Sequence, residues 1–263
     1  MIFAHPLITL FISLGCYANA FNVLPTRSTL STRSFHPLWS SATDLPVVSK
    51  KVPHIPTNVN STLIKLANEF IYTSSGFYSA ADPSFYADDF VFRGPYIGPL
   101  NKKDYLATMD TFKIYEGLPD ISPNAFGFSI DTQDPNRVWF LVRNSGTFTG
   151  EPGIGLGFGQ YFPPNGAKLV GCPETFSITF DDNQKVKLLT VGYVADRFEG
   201  NTKGKGAAIG IFEVIGLPIP PPGLVYSAIT WFNNKILGNP AKTCSDDVPE
   251  WWPHKERGVE GYN

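Results

Sequence analysis

The chain has 263 residues, with 21 Lys and Arg against 23 Asp and Glu for a formal net charge of −2. A nearly neutral chain without a basic stripe has no electrostatic means of holding nucleic acid, so that class of partner is excluded. Aromatic residues make up 14% and charged residues only 17%, below the usual quarter, which predicts a large aromatic-lined interior with room for a deep apolar pocket.

Ile2 to Leu14 is an apolar run, and Ala18 and Ala20 in the small-residue stretch after it stand at the −3 and −1 positions of a signal-peptidase cut before Phe21. Asn22 to Ser41 is rich in Ser and Thr, carries Arg27 and Arg33, and is followed by no acidic residue before Asp44. That composition belongs to transit peptides and not to the start of a folded domain. A cleavable signal, an aromatic residue and a Ser/Thr/Arg segment together resemble the bipartite presequences of algae with complex red-lineage plastids. The motif stands here as Ala18-Asn19-Ala20-Phe21. The resemblance implies a plastid (chloroplast) destination; the alternative is an ordinary secretory signal with a spacer, and a secreted protein. The reading divides the chain into a signal peptide (1–20), a transit peptide or linker (21–56), a folded domain (57–200) and a C-terminal extension (201–263).

About 207 residues follow Pro56, enough for one domain with an extension. Leu63, Leu66, Ala67, Phe70 and Ile71 recur at three- and four-residue spacing and predict a helix that begins near Asn60 or Ser61 and ends at Gly76. A turn with Pro83 at its first position is expected over Asp82 to Tyr86. Phe90-Val91-Phe92 reads as a short strand, Gly94-Pro95 and Gly98-Pro99 as breaks, and Asn101 to Phe112 as a helix capped by Asn101. Strands are then predicted over Asn124–Asp131, Val138–Phe148, Glu174–Asp181 and Val186–Phe198, the last two forming a hairpin. In the third, Phe176, Ile178 and Phe180 share one face. Two helices followed by long antiparallel strands suggest one curved sheet folded over the helices.

Gly153, Gly155, Gly157, Gly159 and Gly166 crowd the stretch from Gly150 to Gly171. A phosphate-binding loop needs a strand before it and a helix after it, whereas this stretch lies between two antiparallel-type strands. The expectation is a flexible rim loop at the mouth of a cavity. Cys172 and Cys244 could pair in a secreted protein and would stay free in a reducing stroma. Neither has metal-ligand spacing to another Cys or His, so no metal and no cofactor is expected. Beyond Gly200, Ala207–Ile215 and Leu224–Leu237 read as short apolar helices. They could form a lid, a dimer contact or a foot resting on a membrane; no segment of the mature chain has the ~18 unbroken apolar residues of a span.

Phe90-Val91-Phe92-Arg93-Gly94-Pro95, Gly98-Pro99-Leu100 leading into the helix, and the closing strand Leu188 to Phe198 are similar to the SnoaL-like polyketide-cyclase branch of the nuclear transport factor 2-like superfamily. The similarity covers about residues 60–200. It implies an α+β, cystatin-like cone: a curved antiparallel sheet wrapped over N-terminal helices, enclosing an apolar pocket for a small apolar ligand, in a chain that can form a homodimer. Its members include cyclases, isomerases, dehydratases, epoxide hydrolases and non-catalytic modules, so the resemblance leaves the reaction open.

Such a pocket works through a carboxylate that takes or gives a proton and donors that hold an oxyanion. Asp196 and Asp89 are the candidate bases. Asp196 is one pleat from Val194 in the closing strand, and Tyr193 is a candidate oxyanion donor of opposite parity. Both can face inward only if a bulge intervenes, which Gly192 allows. Arg143 and Glu174, at the polar ends of neighbouring strands, could pair across the mouth. Arg93 could clamp an anionic group or bridge to Asp88 or Asp89, and Tyr96 is a candidate contact to the ligand. The four histidines, His5, His36, His54 and His254, fall outside the predicted sheet, which disfavours histidine-based dehydration or a Ser-His-Asp hydrolase. A non-catalytic protein-binding or assembly module on the same fold is the alternative.

Overall fold

Apolar residues at helical spacing form the first element of a computed structural model that describes residues 62–217, 219–220, 228 and 231–252. Helix α1 (Thr62–Thr73) buries Ile64, Ala67, Phe70 and Ile71. Asp82 then caps a single 3-10 turn, Pro83–Phe85, by accepting from the Ser84 N–H at 2.8 Å. Strand β1 (Tyr86–Arg93) and the two-residue β2 (Leu100–Asn101) lead into helix α2 (Lys102–Phe112), whose cap Asn101 accepts from the Asp104 N–H at 2.9 Å. A single turn, α3 (Ile114–Gly117), follows.

The remaining strands are β3 (Phe126–Ile130), β4 (Arg137–Val142), β5 (Ser145–Thr147), β6 (Ile154–Gly157), β7 (Gln160–Phe162), β8 (Lys168–Val170), β9 (Glu174–Phe180) and β10 (Val186–Val194), and helix α4 spans Ala207–Ile215. Six of them form one sheet in the order β2-β1-β10-β9-β4-β3. Its register places Val138 opposite Ile178, Phe140 opposite Phe176, and Ile178 opposite Leu189. These side chains pack on the helices, with Tyr86, Phe90, Phe92 and Tyr105 joined edge-on or tilted at 4.9–5.7 Å between ring centres. Each such pair adds about 0.5–1.5 kcal/mol beyond the area it buries. The α+β class, with a curved sheet over helices and an apolar helical extension, is the one expected from sequence.

Four details differ from the sequence reading. The pairing of β1 with β10 is parallel, so the sheet is mixed and not wholly antiparallel. The predicted strand Val138–Phe148 stops at Val142, and β5 pairs instead with β8 in a separate ribbon. The closing strand ends at Val194, four residues early. The glycine-rich segment is not a loose rim: β6 and β7 form a hairpin, Ile154 is fully buried, and none of its residues borders the cavity described below.

The chain beyond Leu237 folds back on the sheet edge. The Gly98 N–H donates to Thr243 O at 2.7 Å, and Ser245 donates its N–H to Pro99 O and its hydroxyl to Asp104 at 2.6 Å. Lys242 pairs with the same Asp104 at 3.0 Å. Trp251 Nε1 donates to the Asp89 carbonyl at 2.8 Å. The signal and transit segments, and residues 224–227 and 229–230 of the predicted helix Leu224–Leu237, lie outside the described residues, and the end of that helix is the short turn Phe232–Ile236. Among the described residues no helix is long and apolar enough to cross a membrane.

Candidate functional site

The concave face of the sheet, α1, α2 and the start of α4 surround a cavity walled by side chains such as Ile71, Tyr78, Phe92, Tyr96, Met109 and Phe176. The centre of a water molecule can reach about 50 Å³ of it. One water needs about 10–15 Å³ on that scale, so the space holds a few waters or one small apolar group. The Tyr105 hydroxyl near it is already committed to Ser75 O at 2.6 Å. Burial pushes the Tyr78 and Tyr105 phenols up, so both stay neutral donors.

Glu174 does not line this space itself but is hydrogen-bonded to its wall. It opens β9 in register between Val142 of β4 and Val194 of β10, and shares the pleat of the wall residue Phe176. Its exposure is only 1%. One carboxylate oxygen accepts from Asn144 Nδ2 at 3.1 Å and the other from the Ala207 backbone N–H at 2.7 Å. Asn144 Oδ1 in turn accepts from the Tyr78 hydroxyl at 2.6 Å. Tyr78 and Ala207 both belong to the cavity wall. Burial pushes the Glu174 carboxyl up to about 7, while the Ala207 and Asn144 donors pull it back toward the ionised form.

Local sequence builds this arrangement from two sides. After Val142 the chain leaves the β4–β9 ladder: the Arg143 N–H goes to Pro123 O and the Asn144 carbonyl accepts from Gly171, which turns the Asn144 side chain inward. On the other side the turn before α4 presses on the sheet at Gly206, where a Cβ would overlap the Gly192 carbonyl. That contact delivers the first N–H of α4, and its partial positive charge, to Glu174. A carboxyl that changes protonation near neutrality and is hydrogen-bonded to the wall of an apolar cavity is equipped to accept or return a proton through that network.

The structure disperses the other candidates. Asp196 lies past the end of β10 in a turn, where its carboxylate accepts from the Phe198 N–H at 2.9 Å, and it does not border the cavity. Asp89 pairs at the surface with Lys187 at 3.2 Å. The bulge at Gly192 does form, as a slip in register between Thr190 and Tyr193, yet it leaves Tyr193 46% exposed. Arg93 is buried and donates to the carbonyls of Gly94 and Ile97, stapling its own loop; Asp88 pairs with Lys102 instead. Arg143 pairs with Glu199 at 3.0 Å and not with Glu174, because its side chain leaves the interior where Asn144 enters it. Of the named residues, Tyr96 lines the cavity, while Glu174 and Arg93 are hydrogen-bonded to residues of its wall.

Tyr78 and Asn144 complete the network and were not among the sequence candidates. Tyr78 follows the end of α1 and Asn144 follows a strand, and neither position carries a local signal of its own. Cys172 and Cys244 are not joined in a disulfide. Among the described residues no three His, Cys, Asp or Glu side chains gather as a metal site would require, and all four histidines lie outside those residues.

No family model matches the chain, and no curated protein matches it. Among solved structures it is similar to a protein named as a SnoaL-like polyketide cyclase from Jannaschia sp. CCS1, at 15% identity over 60% of this chain and 93% of that one, with a TM-score of 0.40. A phenazine biosynthesis-related protein of Pseudomonas aeruginosa shares 12% identity over 62% and 92% of the two chains, with a TM-score of 0.35. An NTF2-like protein from Cytophaga hutchinsonii shares 16% over 52% and 96%, with a TM-score of 0.33. These likenesses concern the course of the backbone and carry nothing about chemistry.

Proposed function

We propose that the domain binds a small, largely apolar molecule in the cavity between the sheet and its helices, and that Glu174 takes or returns a proton from it without a cofactor. Isomerisation, cyclisation and hydration are the reactions that need no more than this. The observation that carries the reading is the buried Glu174 carboxyl, joined through Asn144 to Tyr78 and directly to Ala207, both of them wall residues. Tyr96, in the same wall, is the proposed polar contact for the bound molecule. The test uses cyclopentanone, an apolar ring with one carbonyl, and reads deuterium entry at its α-carbons in heavy water by NMR. Wild-type protein should catalyse exchange, Glu174→Gln should abolish it, and Asp196→Asn should retain it. Exchange unaffected by Glu174→Gln removes Glu174 from the role.

A second reading rests on the size of the space. With about 50 Å³ reachable by water centres, the aromatic side chains fill most of the interior themselves, as a non-catalytic assembly module would require. Toluene separates the two: binding that Ala208→Leu blocks favours the ligand-binding reading, and absence of binding together with absence of exchange favours the module. On the strength of the N-terminal sequence, the plastid is the proposed location; a fluorescent fusion of Met1–Pro56 retained in the secretory route would refute it.

A further inference from the structure

The first turn of α4, Gly206 to Ile209, is part of the cavity wall, and Glu174 stands behind that wall without lining the space. Another wall segment, Gly94–Ile97, is pinned within itself. The Gly94 N–H donates to Ile97 O at 2.7 Å, and the buried Arg93 donates to the carbonyls of Gly94 and Ile97.

The start of α4 is anchored on both sides instead. Upstream, Asn201 donates its N–H to Val170 O and its Nδ2 to Lys168 O. Downstream, Phe212 meets Phe112 edge-on at 5.6 Å, and Ile215 O accepts from Asn165 at 2.8 Å. Lys203 and Lys205 pair with Glu213 at 2.6 and 2.7 Å, so the upstream loop and the body of α4 hold each other. Between these anchors the Ala207 N–H, donating to Glu174 at 2.7 Å, ties the first turn to the sheet.

Ala207 takes φ 47°, in the left-handed region, although it opens a right-handed helix. A residue with a Cβ is strained there. The conformation persists because Glu174 holds the N–H and because Ala207 packs over Gly192, where a Cβ would crowd that of Ala207 at 3.0 Å. A turn of about 110° about this bond would give α4 a regular first turn and carry the N–H off the carboxylate.

We propose that the first turn of α4 is a gate, closed in this structure, and that Ala207 opens it by passing from the left-handed to the right-handed conformation, which admits the ligand and uncovers Glu174. The inference rests on the ligand-binding role proposed above and adds how the carboxyl is reached.

The test is the rate at which toluene enters the full chain, read at pH 8 from exchange broadening of its methyl proton signal. Ala207→Gly frees the closed conformation of strain and makes the helical one less favourable, so entry should slow about tenfold. Ala207→Pro fixes φ near −65° and removes the donor. Its predecessor Gly206 is already extended, at φ −103° and ψ 170°, as a residue before proline must be. Entry should then be faster than in the wild type. Glu174→Gln, whose neutral carbonyl accepts more weakly than a carboxylate, should also speed entry. A turn held by packing alone would be loosened by glycine, so slowing by glycine is the distinguishing result, and it decides the matter even if the proline variant fails to fold. Equal rates throughout, or entry speeded by glycine, overturn the gate and leave ligand binding standing. Toluene that enters none of the proteins overturns both.

Discussion

Replacing Glu174 by Gln should stabilise the protein above neutral pH and leave its stability unchanged in acid. The carboxyl, ordinarily near 4.5, rises to about 7 in the folded chain because burial strips it of water, and two N–H donors only partly compensate. Between those two values the folded protein binds a proton that the unfolded chain has released. Folding is therefore favoured by acid in that window, loses stability as pH rises through it, and becomes independent of this group above about pH 7. A displacement of this size is worth about 3 kcal/mol. Glutamine keeps the shape and removes the charge. Its carbonyl can still accept from Ala207, and its amide can be met by turning the Asn144 amide over, with Tyr78 then accepting where it donated. The assay is urea unfolding of both proteins at several pH values from about 4.5 to 8, taking the difference in unfolding free energy so that every other titrating group cancels. The difference should begin near zero, climb by at most about 1.4 kcal/mol per pH unit, and level off at about 3 kcal/mol in favour of the variant. A difference that is flat across the range, or that falls with pH, refutes the account of a buried, proton-accepting Glu174.

Gly155→Ala should cost about 2–3 kcal/mol in thermal or urea unfolding, because the new Cβ would overlap the Thr111 carbonyl at the end of α2. Gly159→Ala, at the open hairpin tip with φ 70°, meets nothing within 4 Å and should cost only about 1 kcal/mol; equal costs would refute the packed hairpin. Asp104→Ala removes the partner of Lys242 and Ser245 and should cost about 2–3 kcal/mol, with faster amide exchange over residues 242–247. Unchanged exchange there would mean that the tail is held by something else. Arg143→Ala breaks a half-exposed pair with Glu199 and should change unfolding stability by less than about 1 kcal/mol.

Much of the architecture is legible in local sequence because the signals act over a few residues. The Asn101 cap, the Pro83 turn, the apolar spacing of α1 and the alternation of β9 each depend on groups within one turn or one pleat, and each is found where the pattern puts it. Strand ends are less legible because long-range contacts set them. The sequence offers a short strand only at Phe90-Val91-Phe92, yet β1 starts at Tyr86, with Asp88 and Asp89 paired to Lys102 and Lys187 from other elements. Val138 to Phe148 reads as one strand, yet it breaks at Arg143-Asn144 because Asn144 serves Tyr78 and Glu174, residues 66 and 30 positions away. The pairing direction of β1 with β10 carries no local signal at all.

The choice of carboxylate shows where parity arguments hold and where they fail. Asp196 is assigned inward by counting pleats from Val194, which assumes that the strand runs on without interruption. Gly192 shifts the register and the ladder stops at Val194, so the count no longer applies. Glu174, which the sequence offers only as a polar strand end able to meet Arg143, in fact stands in phase with Phe176, Ile178 and Phe180, and no bulge in β9 falls between them. An acidic residue in phase with a buried apolar row must either end the strand in water or be met by donors inside the fold. Here the Ala207 N–H and the Asn144 amide meet it, which is why the carboxyl can remain buried and still change its protonation near neutrality. The informative pattern in the sequence is thus the polar residue that breaks an otherwise apolar pleat within an uninterrupted strand, and not the acidic pair at a strand end.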